Sequence, residues 1–293
     1  MSILLTSQTK IICQGILSPN GLSCTEKSLA SGAQIVGAVA AGHGGEEMLG
    51  LPLYNTVEEA CQKHKPQISV IYSTADKAPA DILEAAACHI PWIICTTDGI
   101  PVHEILRVKR RLRKSKSRLI GPASSGIITG EECQVGKIPA HLFSAGNIGI
   151  ISRSSSLLNE ASQQLIKKGL GVSTCVSLGA YPILGSNFID IFELFCKDKN
   201  TKAVLVIGEI GGKNEQKLAE YYRNIKRRRK PLVCYIAGVY APKNRYMGNI
   251  GAIVKNDDDT AMEKQKVLQD AGAVIVPSIN RIGATMIKVI SDM

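Results

Sequence analysis

Beyond His141 this chain contains no histidine: all five, His43, His64, His89, His103 and His141, fall in its first half. Nine cysteines are present, but they are scattered singly, without a C-x-x-C pair and without histidines at metal-ligand spacing. That pattern argues against zinc or disulfides and for reduced structural thiols. Cys13, Cys95, Cys175 and Cys234 lie in or beside strand-like runs, where cysteine acts as a small core residue. No metal-ligating set is expected. The chain also lacks a charge-free apolar run of membrane-spanning length and a signal pattern at its start. No membrane insertion is expected, and the expected location is the cytoplasm or, as a mature form, an organelle.

What is present describes a globular protein long enough for two domains: 293 residues, 45% hydrophobic and 20% charged. The net charge of +10 comes largely from two runs, eight basic residues between Arg107 and Arg118 and five from Lys226 to Lys230. Such runs can mark a nucleic-acid surface, with Arg110, Arg111, Arg227 and Arg228 as the contacts. The first overlays a helical pattern with Ile105, Leu106 and Leu112 as its apolar positions. The second is read as a helix end before Pro231, where cations suit the dipole. Solvated helix faces are the favoured reading, and nucleic acid is not expected as a partner.

Short apolar runs alternate with helical patterns throughout, which predicts an α/β fold with parallel sheets and crossover helices. In the first half, strands are expected at 11–13, 34–39, 69–72, 92–96 and 118–120, with helices at 25–31, 57–64, 80–88 and 102–114: a Rossmann-like order. In the second half, strands at 148–152, 172–177, 203–207, 232–236 and 274–276 alternate with helices at 157–168, 188–196, 215–225, 261–271 and 280–290. That order predicts a flavodoxin-like domain. Between them, a Gly/Pro/Ser-punctuated stretch poor in periodicity reads as a connection. The expected division is 1–121, a connecting segment 122–146, and 147–293.

Several loops at strand ends carry motifs. After the first strand comes Gly15-Ile16-Leu17-Ser18-Pro19-Asn20-Gly21, at the place where such folds bring phosphate to a helix N-terminus. Ala41-Gly42-His43-Gly44-Gly45 and Thr96-Thr97-Asp98-Gly99-Ile100-Pro101 follow later strands. In the second half, Ser152-Arg153-Ser154-Ser155-Ser156 opens a helix that continues through Asn159, a place suited to an anion or simply to a helix cap. Ile207-Gly208-Glu209-Ile210-Gly211-Gly212, Gly185-Ser186-Asn187-Phe188-Ile189-Asp190 and Gly238-Val239-Tyr240-Ala241-Pro242-Lys243 complete the set, followed by Met247-Gly248-Asn249-Ile250-Gly251.

Together these segments resemble the succinyl-CoA synthetase (succinate–CoA ligase) α-subunit family, nearly end to end. The resemblance implies an N-terminal Rossmann-like CoA-binding domain, with CoA as ligand near Gly15, Leu17, Ser18, Pro19, Asn20, Gly21, His43, Thr96, Thr97 and Asp98. It implies a flavodoxin-like ligase domain in which a histidine between two glycines carries phosphate and a glutamate orients it. It also implies a partner, an ATP-grasp β-type subunit that holds nucleotide and Mg²⁺. In this chain the histidine's place is held by Asn249 and the glutamate's by Glu209. Ser154, Ser155 and Ser156 stand in the family's phosphate-holding SRSGTLTYE segment, with Asn159 at its tyrosine, a substrate-binding place.

Other departures accompany Asn249. Leu17 stands for a threonine, Ser18 for a glycine, Pro19 for a serine and His43 for a lysine; Ala123 and Ser124 stand for the asparagine and cysteine near the thioester. An amide nitrogen is almost non-nucleophilic, so the expectation is a protein impaired or inactive in ligation, with Glu209 reverting to a solvated or capping carboxylate. The alternatives are an acyl-CoA ligase subunit still active without phosphohistidine, and a regulatory or nucleic-acid-binding module using the basic runs.

Overall fold

A computed structural model describes residues 2–226 and 229–293. Arg227 and Arg228, named above as candidate nucleic-acid contacts, lie outside the described residues. The first half contains β1 (Ile11–Gln14), α1 (Pro19–Ala30), β2 (Ile35–Val39), β3 (Glu47–Met48), β4 (Leu51–Tyr54), α2 (Val57–His64), β5 (Ile68–Ile71), α3 (Ala78–Ala87), β6 (Trp92–Cys95), α4 (Val102–Leu112) and β7 (Arg118–Ile120). Its parallel strands stand in the order β4-β2-β1-β5-β6-β7, with β3 as a short antiparallel ribbon at the edge. This is the doubly wound Rossmann order, with its switch point beside β1. Strands β1 and β5 are buried throughout because helices cover both faces, which is why they read as Ile/Val/Cys/Ser runs, with Gln14 closing β1.

The second half contains β8 (Gly126–Thr129), β9 (Cys133–Gly136), β10 (Ala145–Ser152), α5 (Ser155–Ile166), β11 (Val172–Ser177), α6 (Phe188–Lys197), β12 (Ala203–Glu209), α7 (Asn214–Asn224), β13 (Leu232–Ala237), α8 (Ala261–Asp270), β14 (Val274–Ile275) and α9 (Ile282–Ser291). Five strands are parallel in the flavodoxin-like order β11-β10-β12-β13-β14. Phe188, Ile191, Phe192 and Phe195 form the buried stripe of α6, spaced for one helix face.

Four expectations need correction. The segment 122–146 is no plain connection: β8 and β9 form a hairpin, and β8 pairs antiparallel with β11, extending the second sheet. Helix α1 begins at Pro19, not Thr25, because Ser18 caps it by accepting the Gly21 N–H and proline suits the first helical turn. Strands β3 and β4 were not foreseen; Pro52 disguises β4, yet a residue without an N–H is tolerated at this outward-facing strand position. The run from Lys226 follows α7 rather than ending it, since the helix stops at Asn224. The Arg107–Arg118 run does lie along α4 and past its end: Arg107 pairs with Glu104 at 2.7 Å, and Lys109 Nζ donates to the Leu184 carbonyl at 2.6 Å.

Among the described residues no helix is long and apolar enough to cross a membrane, and no cluster of His, Cys, Asp and Glu is placed to hold a metal.

Candidate active site

The strands of the second sheet end in the loops that surround Asn249. Strand β12 delivers Glu209 as its last residue, β10 leads into Arg153, and the loop after β13 carries Asn249 back over both. Asn249 Nδ2 donates to Glu209 Oε2 at 3.0 Å. Arg153 Nη2 lies 3.1 Å from Glu209 Oε1 and donates to the Tyr181 carbonyl at 2.8 Å. Glu209 is thus not a solvated carboxylate, as the sequence suggested: it is 7% exposed, and Arg153 is 4% exposed. Burial raises the Glu209 pKa above the ordinary carboxylate value, opposed by the Arg153 charge and the Asn249 hydrogen bond.

A second ionic pair supports this one from below. Lys264, on α8, donates from Nζ to the Glu209 carbonyl at 2.8 Å, the Gly211 carbonyl at 2.5 Å and Glu215 Oε2 at 2.6 Å. Both Lys264 and Glu215 are fully buried. The other Glu215 oxygen accepts the Glu209 N–H at 3.2 Å. All three Lys264 donors are therefore used, and the Ile207–Gly212 turn is tied to α7 and α8. Gly211 has φ +80°, and a Cβ there would collide with the Gly251 carbonyl, so this turn and the Asn249 loop pack backbone to backbone.

At the entrance to α5, Ser154 is an N-cap: its Oγ accepts the Leu157 N–H at 3.3 Å. Ser155 and Ser156 are exposed in the first turn and Asn159 is half-buried in the next. This places hydroxyls and helix N–H groups beside Arg153, a neighbourhood suited to an anion.

The first domain holds a separate cavity of about 310 Å³ at its switch point, lined by Gly15, Leu17, Ser18, Ser73, Lys77 and Asp81 among others. Pro19, Asn20 and Gly21 form the first turn of α1; a Cβ on Gly21 would collide with the Gly15 carbonyl. His43 is half-buried and pairs with Glu46 at 3.1 Å, outside this lining. Thr96 and Thr97 are buried and committed: their hydroxyls donate to the carbonyls of Ile71 at 3.0 Å and Ser73 at 2.6 Å. Asp98 Oδ1 accepts the Gly99 N–H at 2.7 Å, shaping its own loop.

Several residues escaped the sequence reading. Asn55 Oδ1 accepts the N–H groups of Gly42 at 2.9 Å and Gly44 at 3.1 Å and so fixes the loop around His43. Asp81, which accepts from the Ser73 hydroxyl, has its pKa raised by burial. Lys77 supplies a cation at the cavity. Tyr181 joins the two halves by donating to the Ile100 carbonyl at 2.6 Å. Asn55, Lys77 and Asp81 stand in no sequence motif, and only their neighbours in the fold reveal them.

Comparison with known proteins agrees with this layout. The family model described as CoA binding domain matches residues 6–99, and that described as CoA-ligase matches residues 151–275. The succinate–CoA ligase [ADP-forming] subunit alpha of Staphylococcus epidermidis is 41% identical over 287 residues, covering 98% of this chain and 94% of that protein. The corresponding subunit of Staphylococcus aureus is 41% identical over 288 residues, 98% of this chain and 95% of its own length. Among solved structures, an ATP citrate lyase mutant from Methanosaeta concilii in complex with (3S)-citryl-CoA matches with TM-score 0.87 at 23% identity, over 99% of this chain and 51% of that one. ATP citrate lyase from Methanothrix soehngenii, in complex with citrate and coenzyme A, gives 0.84 at 22%, over 98% and 51%. This chain spans about half the length of those solved chains, and at such identity the likeness establishes the fold alone. The identity to the bacterial subunits over nearly the whole chain goes further, and with both domain models in their places the chain belongs to the succinate–CoA ligase α-subunit family.

Proposed function

We propose that this protein is an α-type subunit that keeps the CoA-binding scaffold and the pairing with an ATP-grasp β-type subunit but is impaired in the phosphoryl relay, a pseudoenzyme of its family. The family reaction converts succinate, CoA and a nucleoside triphosphate to succinyl-CoA, the diphosphate and phosphate. Nucleotide and Mg²⁺ belong to the β partner in this reading, and the cytoplasm is the compartment. The observation that carries it is the hydrogen bond from Asn249 Nδ2 to Glu209. A carboxylate in that position would orient an imidazole and make its far nitrogen more basic. Bonded to an amide, it orients a group whose nitrogen lone pair is delocalised and cannot displace phosphate. The site keeps its orienting carboxylate, the Arg153 charge and the helix entrance at Ser154, and has lost the atom that would carry phosphate.

CoA fits the first-domain cavity less well than its family name implies. The turn from Gly15 to Gly21 and the start of α1 present N–H groups, yet Pro19 removes one, Leu17 offers no hydroxyl, and Asp81 places a carboxyl among the lining residues. Lys77 offsets this in part. Weak CoA binding follows. The test is succinyl-CoA formation by the chain mixed with a bacterial β subunit, succinate, CoA, ATP or GTP and Mg²⁺. The expected result is no turnover above the β subunit alone; turnover at the rate of an intact α subunit would overturn the reading in favour of a ligase working without phosphohistidine.

A further inference from the structure

The Lys226–Lys230 run has no part in the chemistry just described, and the described portion of it borders a cavity. At the end of the second sheet opposite Asn249, where chain enters β12 and β13, a cavity of about 480 Å³ is lined by Lys197, Lys199, Lys202, Arg229 and Lys230, with Asp198 as its one carboxylate side chain and Met293 on its rim. Two of the cations are fixed. Lys230 Nζ donates to the Thr201 carbonyl at 2.6 Å; Arg229 donates to the Ala271 carbonyl at 2.9 Å and lies over the Tyr222 ring, 3.8 Å from its centroid. The other three, Lys197, Lys199 and Lys202, are exposed and form no ion pair among the described residues. The carboxylate pairs with none of them among the described residues. Asp198 is buried and spent on its own turn, accepting the Thr201 N–H at 3.1 Å, the Thr201 hydroxyl at 2.7 Å and the Asn200 N–H at 3.2 Å.

Lys197 lies in the last turn of α6, where a helix dipole suits a cation. That explanation does not extend to Lys199 and Lys202, which lie beyond the helix. Like charges gathered around one concavity repel one another, and the arrangement is relieved by a polyanion. A neighbouring depression shares Cys196 and Lys197 with this cavity and is walled by Tyr221 and Ile225, with Asn224, Lys226 and Glu193, which hydrogen-bonds Tyr221, completing its lining. A basic cavity next to an aromatic and aliphatic wall suits a ligand with a chain of phosphates at one end and a flat heterocycle at the other.

We propose that this cavity is a second anion site, distinct from the CoA cavity and from the Asn249 site, that takes the oligophosphate of a nucleoside triphosphate, with the base against Tyr221 and Ile225. The cations gather around one concavity instead of along a continuous basic stripe, which favours a small ligand over a nucleic-acid strand.

The test uses the full chain and measures binding of ATP and of inorganic tripolyphosphate by calorimetry, without a β subunit. Lys199→Ala/Lys202→Ala is compared with Tyr221→Ala and with Lys77→Ala, which alters the CoA cavity instead; circular dichroism confirms that each variant is folded. The expected result is one site for ATP, weakened about tenfold or more in Lys199→Ala/Lys202→Ala and unchanged in Lys77→Ala. Tyr221→Ala should weaken ATP and leave tripolyphosphate as it was. No binding by the wild type, or loss of binding only in Lys77→Ala, would overturn the proposal. Equal response of both ligands to Tyr221→Ala would overturn the nucleoside assignment. A single-stranded oligonucleotide that displaces ATP at equal phosphate concentration, with steep salt dependence, would overturn the small-ligand reading.

Discussion

Asn249 and Glu209 are joined by an amide-to-carboxylate hydrogen bond of 3.0 Å, and the same carboxylate faces Arg153 at 3.1 Å. The acid is therefore held between a neutral donor and a cation, in a place that water hardly reaches. The following expectations come from this cluster and from the groups packed around it.

The pH dependence of stability has a definite sign. Burial raises the Glu209 pKa, so the contribution of this group is fully present below the unfolded carboxyl value, about 4.3, and is lost as pH rises through the higher native value. Glu209→Gln keeps an acceptor for Arg153 without a charge to desolvate. Urea midpoints should show Glu209→Gln gaining on the wild type as pH rises from about 4 toward neutrality, starting from the carboxyl range. A variant that loses ground over that window would show that the ion pair outweighs burial.

Arg153→Met should be costly, because it leaves a buried carboxylate with only the Asn249 amide. Removing one partner of a buried pair typically costs about 3–5 kcal/mol. Combining it with Glu209→Gln should recover most of that loss. Additive losses in the double variant, measured by the same urea titration, would separate the two residues energetically.

Lys264→Met should destabilise by a similar amount, about 3–5 kcal/mol at neutral pH, since Glu215 is fully buried and Lys264 Nζ also holds two carbonyls. Glu215→Leu added to Lys264→Met should be less harmful than Lys264→Met alone. The readout is the denaturant midpoint at constant m-value.

The cysteines should be slow to react. Burial pushes Cys13 and Cys133 up to about 12 and Cys61 up to about 11, and all nine are free thiols. Native protein at pH 8 should give a thiol reagent only a slow partial signal, and denatured protein all nine equivalents. A fast native phase of several equivalents would contradict the packing around them.

His43→Lys should tighten CoA binding by roughly fivefold, the equivalent of about 1 kcal/mol for an exposed charge contact. The gain should fade as salt is raised. An unchanged affinity at low salt would remove the 41–45 loop from the CoA-binding surface.

Much of this architecture was legible before any coordinates, for a physical reason. Strands covered on both faces are rich in apolar and small residues, so Ile11–Gln14, Val172–Ser177 and Leu232–Ala237 stand out as runs. The helices between them carry periodic stripes such as Phe188, Ile191, Phe192 and Phe195. The hairpin β8–β9 was not legible, because glycine and serine within and beside its strands read as a loop, and its pairing with β11 identifies it. The start of α1 was hidden by Pro19 and Gly21, which suggest a turn until Ser18 is seen to cap the helix. At the candidate site, Asn249 and Glu209 were found through motif position. The burial of Glu209, its ion pair with Arg153 and the Lys264–Glu215 support depend on contacts across 49 or more residues of chain, which no local pattern encodes.

The central claim is that the cluster around Asn249 retains orientation without a nucleophile. Its most direct measurement is acid-labile labelling of the chain by γ-³²P-labelled ATP or GTP, with a bacterial β subunit and Mg²⁺, for wild type and Asn249→His side by side. The account predicts no label on the wild type and label on Asn249→His, where Glu209 would receive an imidazole N–H in place of the amide. Label on the wild-type chain at any residue would contradict it.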